Sequence, residues 1–210
     1  MSVSASPGEV PQARERILDA AAEAFMADGF VAATIDDVAR LVGATKGLVY
    51  YHFRSKFDLL LAVYEEAMRR TRVAVEPLAT SDADGRTRLT AMAVAHEQNL
   101  MEHLAYHQVV HQVVRGEMSL SLKSRQRDAL LAANQLRADH EHLFRRVVEE
   151  GIADGSLRAM DAALATRTLL SSLNSVDTWF RPRPGQSVDD LHTLATQIVD
   201  LLIGGFAAQQ

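Results

Sequence analysis

The segment from Thr34 to Leu60, TIDDVARLVGATKGLVYYHFRSKFDLL, constrains the fold more than any other part of this chain. Thr34 and Asp37 have the spacing of a helix capping box, and apolar residues recur after them at helical intervals. Gly43 stands where a helix can end in the left-handed conformation, and Thr45 is suited to cap the helix that follows. The pattern predicts two short helices joined by a tight turn, then a third helix that begins near Ser55.

Two short helices joined by a tight turn form the helix-turn-helix arrangement, whose second helix enters the major groove of DNA. We predict the second helix from Lys46 to Phe53, with polar and aromatic side chains around Leu48 and Val49, which we expect to be buried with Phe53. From Val38 to Phe57 there are four Lys or Arg residues and no Asp or Glu, although the whole chain has a net charge of −5. A surface that faces DNA phosphates is expected to contain basic residues and to lack acids, as this segment does. The alternative is a small helical subdomain with a polar face only.

The composition is ordinary for a globular protein, with 48% hydrophobic and 23% charged residues. The absence of cysteine excludes disulfides, thiolate metal sites and a cysteine nucleophile, which fits a cytoplasmic protein. Residues 1–11, MSVSASPGEVP, lack the apolar region of a signal peptide, and we expect them to form a disordered tail. No apolar run reaches the roughly 20 residues needed to span a bilayer. We therefore expect no membrane partner. Since GxSxG and glycine-rich phosphate motifs are also absent, we expect no cofactor and no enzymatic activity.

Beyond residue 58 apolar residues recur at helical spacing and no alternating β-branched run appears, so we predict an all-α fold with about nine helices. Pro77 and the polar stretch at 80–85 predict a break between helices. The last two helices each have an apolar seam, formed by Ala162, Thr166, Leu169, Leu173, Val176 and Phe180 in the first, and by Val188, Leu191, Ala195, Ile198, Leu202 and Phe206 in the second. Such seams are typical of a helical bundle between two subunits. The alternative is packing on the protein's own core.

Histidines are concentrated in one part of the chain, with six of the eight between residues 96 and 142. His103 and His107, and likewise His107 and His111, have the i, i+4 spacing of helical metal ligands. A metal-responsive regulator that uses His96, His103, His107 and His111 is therefore one alternative. No carboxylate is clearly placed as a further ligand, and we predict no metal site. A helical interaction protein that binds no DNA is a second alternative.

The motif as a whole, with Gly43-Ala-Thr45-Lys46-Gly47 in the turn, Tyr50-Tyr51-His52-Phe53 in the second helix and Ser55-Lys56 after it, resembles the DNA-binding head of TetR-family repressors. An approach helix before it fits as well, with one apolar face formed by Ile17, Leu18, Ala21, Ala22 and Phe25. Leu48, Arg54 and Phe57 depart from the commoner residues of the family. The resemblance implies a helix-turn-helix domain at residues 12–58 and a larger helical effector-binding and dimerisation domain at 59–210.

The resemblance further implies a homodimeric repressor that binds a pseudo-palindromic, double-stranded operator and is released by a small-molecule effector. The residues that it places at the DNA are Thr34, Thr45, Lys46, Gly47, Tyr50, Tyr51, His52 and Lys56. Thr34 and Thr45 would offer hydroxyls to phosphates, and Lys46, with Tyr50, would reach base edges. Gly47 would allow close approach of the helix, and the remaining three residues would hold the DNA backbone.

In the larger domain, the residues expected to line an effector cavity are Met92, His96, Leu100, His103, Asn134, His140, Asn174 and Trp179. The segment from Leu173 to Gly185, with Glu149-Glu150-Gly151 before it, resembles the acyl-CoA-responsive branch of the family, which governs fatty-acid or steroid breakdown. An acyl-CoA is therefore the suspected effector. Arg181 and Arg183 would be suited to meet its phosphates.

Overall fold

The computed structural model describes residues 9–116 and 122–204, and every regular element in these ranges is an α-helix. The helices are α1 (Glu9–Ala32), α2 (Ile35–Val42), α3 (Lys46–His52), α4 (Lys56–Ala79), α5 (Gly85–Glu102), α6 (Leu104–Val114), α7 (Ser124–Ala153), α8 (Ala162–Asn174), α9 (Val176–Trp179) and α10 (Val188–Gly204). The predicted all-α fold with about nine helices is confirmed. Ten helices are described, and the shortest, α9, is a single turn that follows α8 after Ser175. Within the described ranges, no helix has both the length and the apolar character needed to cross a membrane.

The chain packs as two compact units. The first comprises residues up to 67 together with 105–133, and the second comprises residues 68–104 together with those from 134 onward. The predicted boundary at residue 58 therefore lies earlier in α4 than the boundary between the units, and the functional division that it describes stays a prediction. Helix α1 begins at Glu9, inside the predicted tail at 1–11, whose residues 1–8 lie outside the described ranges.

The first unit is organised by α1. The residues predicted to form its apolar face are all buried, namely Ile17, Leu18, Ala21, Ala22 and Phe25. Helix α2 contacts α1 and α3, and the Arg16 guanidinium donates to the Val42 carbonyl at the end of α2, at 2.8 Å. Helix α6 is tied to α1 by Tyr106, whose hydroxyl donates to the Asp19 carboxylate at 2.7 Å.

The second unit is built around α5, which packs against α8, α9 and α10. One apolar cluster joins α5 to α7 and α8, and its buried members include Met92, Phe144 and Leu173. Another joins the end of α5 to α9 and α10 and includes Leu100 and Ala195. Helix α5 therefore contributes to both layers of the core.

The break predicted at Pro77 is wrong, because α4 continues through Pro77 to Ala79. A proline inside a helix leaves the carbonyl four residues earlier without its partner. That carbonyl belongs to Val73, which is 63% exposed and therefore lies on the side of α4 that faces water. The proline is therefore tolerated in the last turn, and the break follows in the polar stretch that begins at Thr80.

Most of the apolar seam predicted for α8 is buried within the second unit. Thr166, Leu173, Val176 and Phe180 are buried, and Ser175 interrupts the seam between α8 and α9. Phe206, the last seam residue of the final helix, lies outside the described ranges. The large apolar residues that α8 and α10 leave exposed are Leu164, Val188, Leu201 and Leu202.

The core of the second unit contains an acid. Glu97 of α5 is fully buried, and neither of its carboxylate oxygens has a hydrogen-bond partner in the described chain. It lies one helical turn from Ala93 and from Met101, which belong to the two apolar clusters. Because the charged form would lose its solvation there, burial raises the pKa of Glu97 to about 8, and the carboxyl is neutral at physiological pH.

The start of α5 is fixed by a contact between two glycines. A Cβ on Gly85 would lie 2.2 Å from the Cα of Gly151 on α7 and 2.4 Å from its nitrogen, a clash with backbone that no side-chain movement relieves. The loop after α7 also satisfies the first N–H groups of α5. Asp154 accepts from the Gly85 N–H at 2.8 Å, and Ser156 Oγ accepts from the Arg86 N–H at 3.0 Å.

We expect Gly85→Ala to lower the free energy of unfolding by about 1–3 kcal/mol or more, because the added methyl group overpacks the contact with Gly151. Urea unfolding measures the change. Gly204→Ala is the control, since a Cβ on Gly204 would meet nothing within 4 Å. Equal losses in the two variants would contradict the close contact.

We expect Glu97→Gln to remove a pH dependence of stability. The pKa of this carboxyl is 4.5 in the unfolded chain and about 8 in the folded chain. Folding therefore takes up a proton between these values, and the stability that the wild type has below the lower value is lost as pH rises through the higher one. In urea unfolding at about pH 5 and about pH 8, the free energy of unfolding of the variant relative to wild type should rise by a few kcal/mol.

The control for this pH dependence is Glu23→Gln on the exposed side of α1, whose effect should be equal at the two pH values. Titration of all other groups cancels in the difference between variant and wild type. A difference for Glu97→Gln that stays constant with pH would contradict the raised pKa.

Candidate DNA-binding surface and effector site

The turn between α2 and α3 has the geometry that its sequence predicts. Thr34 and Asp37 form a complete capping box, in which the Asp37 N–H donates to Thr34 Oγ1 at 3.2 Å and the Thr34 N–H donates to Asp37 Oδ2 at 3.0 Å. The hydrogen bonds from Thr34 hold the pKa of Asp37 below its usual value. Gly43 ends α2 in the left-handed region at φ 69° and ψ 34°, and Thr45 begins α3 by accepting from the Leu48 N–H. Helix α2 is thus capped at both ends, and α3 is capped at its start.

Helix α3 has one inward position and a broad outward face. Val49 is fully buried, whereas Tyr50 is 46% and Tyr51 75% exposed. The prediction that Leu48 is buried is wrong, since it is 37% exposed. Successive residues of an α-helix are rotated by about 100°, so Val49 and the residue before it do not point the same way. The outward face therefore carries an apolar side chain beside the two tyrosines.

The two threonines predicted to contact phosphates differ in what they can donate. Thr34 Oγ1 donates to Asp37 Oδ2 at 2.6 Å, so its proton is used inside the capping box. Thr45 Oγ1 accepts from Leu48, and that bond does not use its own proton. At Gly47, an added Cβ would meet nothing nearer than Thr45 Oγ1 at 3.7 Å, so the free protein does not require glycine there.

The segment from Val38 to Phe57 contains no acid, but two acids from outside it pair with two of its basic residues. Lys46 Nζ donates to Asp36 Oδ2 at 2.8 Å, and this hydrogen bond raises the pKa of Lys46. Arg40 forms a salt bridge with Asp37. Both acids precede this segment and reach it from the first turn of α2. Asp36 is the residue of this surface that sequence reasoning missed, and its signal is a second acid beside the one that caps the helix.

Lys56 serves the structure of the head. Its ammonium donates to the carbonyls of Val31, at 3.1 Å, and Ala33, and it lies 4.6 Å from the centre of the Phe30 ring. Burial lowers the pKa of Lys56. Since two of its three donors are engaged at the end of α1, one remains for the predicted phosphate contact.

His52 is half-buried at the end of α3. Burial, and after it the nearby charge of Arg14, lowers the pKa of His52. The free protein therefore favours the neutral ring, which can still donate one hydrogen bond to a phosphate. The DNA contacts of all eight residues stay predictions.

Three of the predicted effector residues form a hydrogen-bonded chain in the second unit. His96 Nε2 lies 3.2 Å from Asn174 Oδ1, and His96 Nδ1 lies 3.2 Å from His140 Nε2. Because the Asn174 oxygen only accepts, His96 donates to it from Nε2, and one proton is shared between His96 Nδ1 and His140 Nε2. Burial, and after it the neighbouring His96, lowers the pKa of His140 to about 3, so this ring is uncharged at neutral pH. Phe144 packs against both imidazoles.

The other predicted effector residues have separate surroundings. Met92 and Leu100 are fully buried in different apolar clusters. His103 follows the end of α5, and its Nδ1 lies 3.2 Å from the guanidinium of Arg70 on α4. Asn134 is half-buried on α7, and Trp179 is 54% exposed. Their roles in effector binding stay predictions.

The histidines considered as metal ligands are divided between two helices. His96 lies on α5 and His103 at its end, whereas His107 and His111 lie on α6. Among the residues that the structure describes, no group of three or more His, Cys, Asp or Glu is placed to hold a metal ion.

Models of two protein domains match this chain. The model described as "Tetracyclin repressor-like, C-terminal domain" matches residues 82–206, and the model described as "Bacterial regulatory proteins, tetR family" matches residues 17–63. Together they cover the helix-turn-helix and most of the second unit.

Individual proteins agree with this assignment. The HTH-type transcriptional repressor KstR2 of Rhodococcus jostii is 28% identical over 93% of this chain and 91% of its own. The TetR family transcriptional regulator PfmR from Thermus thermophilus has a similar structure, with a TM-score of 0.77 and 30% identity, over 92% of this chain and 100% of that chain. The transcriptional regulator FadR from Bacillus subtilis, solved in complex with stearoyl-CoA, shares the fold with a TM-score of 0.67 and 21% identity, over 92% of this chain and 99% of that chain. The chain belongs to the TetR family of bacterial regulatory proteins.

Proposed function

We propose that this protein is a ligand-responsive repressor that acts in the cytoplasm, binds a pseudo-palindromic operator as a homodimer and leaves it when a small-molecule effector binds. The observation that carries the proposal is the construction of α3. The helix is capped at its start, holds Val49 inside and presents Lys46, Tyr50 and Tyr51 outward. A short, fixed helix with polar and aromatic side chains on its free face suits the major groove of DNA.

The outward residues of α3 divide into two roles. Lys46, with Tyr50 beside it, faces base edges, and lysine is suited to the O6 and N7 acceptors of guanine. The exposed side chain of Leu48 suits a thymine methyl group, in place of a hydroxyl contact. Thr45 and Tyr51 donate to phosphates, which fixes the position of the helix without reading sequence.

The dimer surface is supplied by α8 and α10. Leu164 is 65% and Leu202 40% exposed, and both line a groove of about 350 Å³ together with Met160 and Leu169. Exposed apolar surface of this kind is typical of an interaction site. A second copy of the same helix pair would fill the groove as a four-helix bundle. It would also pair two recognition helices, which a helix-turn-helix protein needs for half-sites about 34–36 Å apart.

The effector site is proposed around His96, His140 and Asn174. The chain of hydrogen bonds through these side chains lies against Phe144 and on the same helix face as the buried Met92. A neutral polar group within apolar surroundings suits a ligand that has an apolar body and an uncharged hydrogen-bonding group. An acyl-CoA has both in its acyl chain and thioester, and FadR of similar fold was solved with stearoyl-CoA.

The CoA phosphates would need a basic group, and the two arginines after α9 differ in availability. Arg181 donates to the carbonyls of Phe180 and Thr178, so its guanidinium is engaged at the end of α9. Arg183 is exposed in the following loop. We therefore assign the phosphate contact to Arg183.

Release requires only a modest coupling between effector and DNA. Allosteric couplings of about 1–3 kcal/mol change an affinity about 5–150-fold. The effector must bind more tightly to the arrangement of the protein that does not fit the operator, because a ligand with equal affinity for both arrangements shifts neither.

We expect the protein to retard a duplex taken from the DNA upstream of its own gene, and an acyl-CoA to release it. The measurement is a gel shift at fixed salt, with medium-chain, long-chain and steroid-derived acyl-CoAs titrated into the preformed complex. The effective ester should weaken binding by about 5–150-fold. The matching free acid is the control, because it lacks the thioester and the CoA phosphates.

A complex that no CoA ester releases would support DNA binding by this protein and exclude an acyl-CoA as its effector. Failure to retard this duplex, and also failure to select any sequence from a random duplex library at low salt, would contradict DNA binding itself.

We expect Leu164→Asp to shift the protein from dimer to monomer, because the interface would have to bury a carboxylate without a partner. Light scattering over a range of concentrations measures the oligomeric state. Leu131→Asp, at a residue of α7 that is 69% exposed, is the matched control. A wild type that is monomeric at all concentrations, or a Leu164→Asp dimer as tight as wild type, would rule out this interface.

A further inference from the structure

An acid is paired with a lysine of the surface proposed to face DNA. Lys46 Nζ is 2.8 Å from Asp36 Oδ2, and the side chains of Lys46 and Asp36 are 50% and 65% exposed. Exposed ion pairs contribute little to stability. Asp36 also takes no part in the capping box, which uses Asp37. As an acid in the first turn of α2, Asp36 also interacts favourably with the helix dipole, as Asp37 does, so the feature that sets Asp36 apart is its pairing with Lys46.

We propose that Asp36 is a specificity-determining residue, which withholds the charge of Lys46 from phosphates and leaves its ammonium to read a base edge. The inference rests on the proposed function of α3 as the recognition helix. It assigns a role to a residue that makes no DNA contact of its own.

On DNA of random sequence, affinity comes from Lys and Arg side chains that neutralise phosphates and release counterions. Lys46 paired with Asp36 adds no net charge to that interaction, and Arg40 is matched in the same way by Asp37. Lys56 and Arg54, the other two basic residues from 38 to 57, keep their charges, because donation to main-chain carbonyls does not neutralise the Lys56 ammonium. The two acids therefore halve the net charge that this surface offers to DNA of random sequence, from +4 to +2.

The same pair costs little affinity for the operator. An ammonium has three donors, so Lys46 can keep its bond to Asp36 while it donates to O6 and N7 of a guanine. The carboxylate then fixes the direction from which the ammonium meets the base. Because the pair weakens binding to random DNA more than binding to the operator, it raises the ratio of the two affinities.

The test is Asp36→Asn, which removes the charge and keeps an oxygen that can accept from Lys46. Affinity is measured over a range of salt for the operator duplex and for a scrambled duplex of equal length and composition. We expect the scrambled duplex to be bound about 10-fold more tightly per dimer at low salt, with a salt dependence steeper by about one ion per head. Operator affinity should change by less than about 3-fold, because the contact to guanine is kept.

Two further variants separate this role from general effects. Glu23→Gln removes the same charge from the exposed side of α1 and should leave the affinity ratio unchanged. In a Lys46→Met background, Asp36→Asn should no longer alter the ratio, since the double-mutant cycle isolates what passes through Lys46. Melting of Asp36→Asn checks that the head is folded.

An equal gain on both duplexes, or an unchanged effect of Asp36→Asn in the Lys46→Met background, would overturn the proposal. A loss of operator affinity alone would also overturn it, because Asp36 would then accept directly from a cytosine amino group. A wild type that binds both duplexes equally would overturn the proposed function and this inference together.

Discussion

The helix-turn-helix depends on the capping of two helices that are too short to persist alone. Isolated helices below about 12–15 residues are marginal in water, and α2 and α3 have eight and seven residues. The side chains of Thr34 and Thr45 each accept from an N–H group that has no partner within its helix, and the burial of Val38 and Val49 supplies the packing. What α3 presents outward is therefore fixed by what it holds inside and by the residues that begin it.

How far the sequence predicts the head follows from the distance between interacting residues. The capping box and the turn at Gly43 involve near neighbours and were predictable from the pattern. The partners of Lys46 and Lys56 lie ten and 25 positions away, and a main-chain carbonyl that accepts from lysine has no signature in the sequence. The exposure of Leu48 is not predictable from periodicity, because α3 is short and holds only Val49 inward.

The second unit shows the same limit. His96 was recognisable as a polar residue in an apolar stripe, but its partners lie 44 and 78 positions away, so their assembly required the fold. Glu97 has no signature in the sequence, because an acid in an amphipathic helix ordinarily faces water. The spacing of the α8 seam fits a partner subunit and the protein's own core equally well. Thr166 and Leu173 are buried because α5 packs against α8, and the spacing of the seam contains nothing about α5.

The pairing of Asp36 with Lys46 also affects how fast an operator is found. A regulator searches among about 10⁶–10⁹ competing sites in a genome and spends much of that time bound to the wrong ones. If Lys46 contributes little at each of these stops, every stop is shorter and a larger share of the molecules is free to move on. The same pairing weakens the long-range attraction that draws the protein to DNA. The head of this protein is thus adapted to leaving incorrect sites quickly, at the expense of arriving quickly.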